Sequence, residues 1–201
     1  MYGFIRLLLG ILLFLVLLSL IKKYRKLSKK LWCIIALSVS VIFSSVLNFF
    51  PLENAFLTFD SPIKAYHYST SLLSTPSLTV QGENSEFMVT NENGKYKYLI
   101  IPREDNGWKV GVSSNLIMVS EKTVDSADLT LFQYRDTMDY YVVVSYVDGG
   151  HAYISDSNQS NFSYLENQTP YKLYVTYFAY VPNITDGYCV YVNGQAISFD
   201  L

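Results

Sequence analysis

Two long apolar runs, Gly3–Ile21 and Leu31–Phe50, flank a nine-residue loop in which Lys22, Lys23, Arg25, Lys26, Lys29 and Lys30 are cationic. About 20 apolar residues suffice for a helix to cross the ~30 Å hydrocarbon core of a bilayer. Lys and Arg in short loops beside such spans are retained on the cytoplasmic side. The pattern predicts a transmembrane helical hairpin over residues 1–50, with spans at about 3–21 and 31–50 and a cytoplasmic basic loop at 22–30. It places the chain in a cell membrane as a two-span protein, with the lipid bilayer as a partner and both termini extracytoplasmic. The six cations are the topology determinants. A cleaved signal peptide is the rival reading, but its cations should precede the apolar run, whereas here they follow it.

Within the second run, Ala36, Ser40 and Ser44 recur at i, i+4 and i+8 and so fall on one helix face. Small residues at this spacing allow close approach of a second helix, and serine hydroxyls can bond across such an interface. Gly10 on the first run is the natural counterpart. Neither span contains Asp, Glu, His or Lys, so a proton relay or ion pathway lacks residues to carry it.

The net charge of −2 conceals a sharp division. Residues 1–50 hold seven Lys/Arg and no acid, whereas residues 51–201 hold eight Lys/Arg against all seventeen Asp/Glu, a balance of −9. A domain of that charge repels phosphate backbones, which argues against nucleic acid as a partner. Cys33 lies in the second apolar run and Cys189 far beyond it, so the outer part is expected to have no internal disulfide. A domain of this size can rely on its core instead, which points to a bacterial envelope protein.

Residues 51–76 read as a connector containing one short helix, because Ser61-Pro62 pairs an N-cap residue with proline at the first helical position. From residue 77 to 201 the chain alternates β-branched and aromatic runs with turn residues. Twelve strands are expected, at Ser77–Gln81, Glu86–Thr90, Lys95–Ile101, Trp108–Ser113, Leu116–Ser120, Leu129–Tyr134, Tyr140–Val147, Ala152–Ser155, Phe162–Leu165, Tyr171–Val181, Tyr188–Val192 and Ala196–Phe199. Asn93-Gly94 and Asn193-Gly194 suit two-residue hairpins, and Asp105-Asn106-Gly107 and Asp148-Gly149-Gly150 are comparable turn formers. The fold class expected is therefore membrane-anchored and mainly β: the hairpin, then an antiparallel β-sandwich-like extracytoplasmic domain with one short helix. A split near 121–128 into two small β-rich or α+β subdomains is the alternative.

The chain lacks the spacing of a nucleophile elbow, a phosphate-cradling loop or paired CxxC motifs. No catalytic, cofactor-binding or metal residues are assigned, and no cofactor is expected. His67 and His151, the two histidines, read as surface or turn residues. Asp156–Asn161 faintly echoes a calcium loop but lacks its glycine and closing Glu. Asn-x-Ser/Thr triplets at Asn158, Asn161, Asn167 and Asn183 mark surface loops.

Sixteen of the eighteen tyrosines follow residue 51. As a strand, 171–181 shows Tyr171, Leu173, Val175, Tyr177, Ala179 and Val181 on a core-like face. Its other face carries an aromatic strip, Tyr174, Phe178 and Tyr180, that would be a second packed face or a binding platform. These readings converge on a non-enzymatic envelope protein whose outer β domain mediates binding or assembly, with another membrane protein or a cell-wall glycan as partner. An accessory or sensory subunit of a membrane complex, coupled through the second span, is the alternative. A cell-envelope hydrolase ranks lower, since it needs carboxylates such as Asp136, Asp139, Asp148 and Asp156 to converge in one cleft.

Overall fold

The computed structural model describes residues 2–21, 28–46, 51–70, 74–92, 94–112, 115–168 and 173–199. Two helices, α1 (Tyr2–Ile21) and α2 (Lys29–Val46), pack against each other. Gly10 of α1 faces Ser44 of α2, whose hydroxyl lies where a Cβ on Gly10 would stand.

The expectation of two membrane spans is corrected here. Among the described residues no helix is long and apolar enough to cross a membrane. A span needs about 20 consecutive apolar residues, and α2, 18 residues long, opens on Lys29 and Lys30. The cell-membrane localisation, the two-span topology and the membrane-anchored fold class fall with it. Lys22, Lys23, Arg25 and Lys26 lie outside the described residues, while Lys29 and Lys30 form the first turn of α2.

A 3₁₀ turn (Leu52–Ala55) and α3 (Pro62–Ser69) follow. Ser61 caps α3 by accepting from the Lys64 N–H at 3.4 Å, with Pro62 at the first helical position. The 3₁₀ segment is fastened to the β region rather than left as a free linker. Asn54 accepts from the Val110 N–H at 2.7 Å and donates to the Val110 carbonyl at 3.1 Å, imitating a strand pairing. Phe59 and Trp108 exchange backbone hydrogen bonds of 2.8 and 2.9 Å. Lys109, with a buried side chain, donates to the carbonyls of Asn54 and Leu57 and to Thr58 Oγ1, with Glu104 at 3.6 Å.

Among the described residues, twelve strands form three antiparallel sheets. The first holds β1 (Leu78–Gln81), β2 (Ser85–Glu92), β3 (Lys95–Glu104) and β4 (Gly107–Trp108), in that order. The second runs β5-β6-β7-β10-β9, built from β5 (Leu116–Val124), β6 (Ala127–Tyr134), β7 (Asp139–Tyr146), β9 (Ser163–Gln168) and β10 (Leu173–Pro182). The third runs β12-β11-β8, from β8 (Ile154–Asp156), β11 (Cys189–Val192) and β12 (Gln195–Ser198). Of the expected strand at Trp108–Ser113 only Trp108 lies in β4, Ser113 falls outside the described residues, and a Cβ on Gly111 would overlap the Ile100 carbonyl. The polar stretch 121–128 is no domain boundary: it is the β5–β6 hairpin, turning at Asp125 with φ +49°.

These sheets stack in layers around three apolar clusters. On one face of the first sheet, Met88 and Ile101 pack against Ala65 and Tyr66 of α3. From its opposite face, Phe87, Val89 and Ile100 meet Phe132, Tyr141, Val143 and Phe178 of the second sheet. The second sheet's other face supplies Leu129, Leu131, Val142, Val144, Val175 and Val181, covered by Val190, Val192 and Ile197 of the third. The five-stranded sheet is thus buried on both sides. Its strands β7 (DYYVVVSY) and β10 (LYVTYFAYVP) read accordingly as continuous apolar runs instead of alternating ones.

Candidate binding site at the sandwich tip

In the meander β5-β6-β7, the β5–β6 turn and the exit from β7 necessarily lie at the same end of the sheet. The β11–β12 turn of the third sheet joins them there and encloses a cavity of about 190 Å3. The floor is Val124, Ala127, Val192 and Ile197, and the rim is Asp125, Ser126, Tyr146, Asp148, Asn193 and Gln195. Asn193 and Gly194, at φ +51° and +86°, form the tight turn that aims the Asn193 amide. Its Oδ1 accepts from the Tyr153 N–H at 2.9 Å, and its Nδ2 donates to the Tyr146 hydroxyl at 3.3 Å. Tyr146 in turn donates to Asp148 Oδ2 across a long 3.5 Å. Tyr153, whose backbone is tied to Asn193 from both sides, is 74% exposed. Family models, curated proteins and solved structures return no match.

Other polar groups serve the fold. Asp139 is fully buried and accepts from four donors: the Asn84 N–H (2.8 Å), Ser85 Oγ (2.8 Å), Asn84 Nδ2 (3.3 Å) and the Tyr180 hydroxyl (3.0 Å). Burial, aided by the Asp139 charge, pushes the Tyr180 hydroxyl up to about 12. Burial also raises the hydroxyl of Tyr141, which lies 2.8 Å from Ser85 Oγ. Asp156 repeats the arrangement on a smaller scale, accepting from the Tyr188 hydroxyl at 2.9 Å and the Ser160 N–H at 2.7 Å. Its oxygens therefore close a turn instead of facing a cation, and among the described residues no group of three or more His, Cys, Asp or Glu could hold a metal.

Asp136, Asp139, Asp148 and Asp156 do not converge. Asp139 begins β7 and Asp148 lies beyond its end, on the order of 25 Å away at ~3.3 Å per residue. Phe178 of the aromatic strip is buried in the core between the first and second sheets, Tyr180 packs beside it, and Tyr174 is half-buried. The strip faces the first sheet. Tyr171 lies outside the described residues.

Ala36 and Ser40 are buried and Ser44 meets α1 at Gly10. The Ser40 hydroxyl, however, donates to the Ala36 carbonyl of its own helix at 2.8 Å, so Ser40 contributes small size to the face while its hydrogen bond stays within α2. Cys33 and Cys189 are both free thiols.

His67 sits edge-on to Tyr66 in α3. His151 is less isolated than its sequence position implies. Its Nε2 is 3.1 Å from Glu166 Oε1, its ring stands edge-on to Tyr164, and its Nδ1 is 3.5 Å from the Tyr177 hydroxyl. It pins the β7–β8 loop to β9 and β10. Sequence reasoning missed this pair, and it missed Asp125, Tyr146 and Gln195 at the cavity. The legible signal for the cavity was the set of turns at Asp125-Ser126, Asp148-Gly149 and Asn193-Gly194, which antiparallel pairing brings to one end.

Proposed function

We propose that the β-rich part of the chain is a non-catalytic binding or assembly module whose contact site is the tip cavity and the exposed Tyr153 beside it. The observation that carries this reading is where the polar side chains are committed. Asp139 and Asp156 are each engaged by donors within the fold, while the tip cavity combines an apolar floor with polar groups held at its rim. Concave sites of that make-up are the usual places for ligands. A partner protein or glycan reaching the tip would find Tyr153 as a large amphipathic contact.

Amide chemical shifts of the full chain, recorded against a fragment library, test the proposal. Hits are expected to perturb residues 124–127, 146–148 and 193–195 and to be recovered chemically unchanged. Fragments converted to products in proportion to protein, or hits that all cluster elsewhere, would overturn it.

A further inference from the structure

We propose that the tip cavity binds an alkylammonium group, the charged end and methylene stem of a lysine side chain or of a free amine. This rests on the cavity being the binding site and adds the chemistry of its occupant. The charge on the rim is that of two carboxylates, Asp125 and Asp148. Both polar atoms of the Asn193 amide are engaged, Oδ1 with the Tyr153 N–H and Nδ2 with the Tyr146 hydroxyl. The single proton of Tyr146 points to Asp148 Oδ2. What stays open is the second oxygen of Asp148, the carboxylate of Asp125 and a lone pair of Tyr146, beside the neutral Ser126 hydroxyl and Gln195 amide, and among the described residues no Lys or Arg lines the space.

A phosphate or carboxylate would bring a second negative charge against Asp125 and Asp148. An ammonium offers three donors and no acceptor, the complementary set. Its stem suits the floor of Val124, Ala127, Val192 and Ile197, as lysine methylenes regularly lie along apolar surface while the charge stays polar-bound. A bare metal ion is less well served, since it would have neither a ligand set nor a use for that floor. The −9 balance of residues 51–201 draws cations towards the domain from a distance.

The experiment uses the full chain and three probes, Nα-acetyl-lysine methylamide, cadaverine and the Nε-acetylated form of the first, followed by amide shifts at Ser126, Tyr146, Asn193 and Gln195. Both amines are expected to saturate these shifts. The acetylated probe should bind at least about tenfold more weakly, as should both amines to Asp148→Asn, a loss of ~1.4 kcal/mol. Tighter binding of the lysine amide assigns the site to a protein-borne lysine, and tighter binding of cadaverine assigns it to a free amine. Equal binding of acetylated and free lysine overturns the ammonium assignment while leaving the cavity as a binding site. Absence of saturable shifts from all three overturns both.

Discussion

Asp139 is a buried carboxyl group with four donors, so its neighbours depend on it as much as it depends on them. Replacing it by Asn keeps the shape but turns an amide N–H towards groups that donate. Asp139→Asn is expected to cost about 2–4 kcal/mol in urea unfolding, and Tyr180→Phe about 1 kcal/mol, since the latter removes one donor of four. Gly82 belongs to the same site, because a Cβ there would overlap the Tyr141 hydroxyl and crowd Asp139 Oδ2. The tyrosines also set an alkaline limit. The folded chain holds the Tyr98 and Tyr180 protons to about 12, mainly through burial, whereas the unfolded chain releases them near 10. Their contribution is complete below pH ~10 and is lost as pH rises towards 12, because over that window the native state binds more protons. Tyrosinate absorbance should show exposed rings ionising first and a second group ionising only as circular dichroism reports unfolding.

At the scale of elements, the segment 51–60 has no strand or long helix of its own and is held by polar contacts to residues 108–110. Lys109 supplies three of them from a side chain with 5% exposure. Lys109→Met should weaken this docking by about 2 kcal/mol, seen as faster amide exchange and faster proteolysis within 51–60 with little change in the sheets. Such a staple was illegible in the sequence, because a lone Lys among Trp108 and Val110 has no local pattern that distinguishes a buried donor from a solvated one. The helix start at Ser61-Pro62 and the turn at Asn193-Gly194 were legible, since caps and tight turns are decided by neighbouring residues alone. The face of Tyr174, Phe178 and Tyr180 was not: both faces of β10 are apolar, and only the arrival of the first sheet decides that the second is covered. The run Tyr140–Val144 carried the same message, a strand with no polar side to give to water.

Taken whole, the molecule joins a layered β region to a pair of helices with apolar side chains on every side. Leu12, Leu15, Ile34, Leu37, Val41 and Ile42 are all more than half exposed. Surface of that kind persists in water only when something apolar covers it. In buffer without detergent the full chain is expected to elute as large assemblies that a non-ionic detergent disperses. A stable monomer in plain buffer would show that the cover comes from the chain itself. The layers also follow chain order, from α3 through the four-stranded and five-stranded sheets to the β11–β12 pair, with only β8 reaching ahead to its later partners. During synthesis each sheet therefore emerges before the one that shields it. The ribosome releases first a face bearing Phe87, Val89 and Ile100, whose cover arrives only once residues 132–178 have been made. β11 and β12, made after both larger sheets, close the third cluster. A chain stalled before β11 and β12 consequently ends on an open apolar sheet, the species most prone to aggregate, so the fate of the nascent chain turns on whether residues 189–198 have been made.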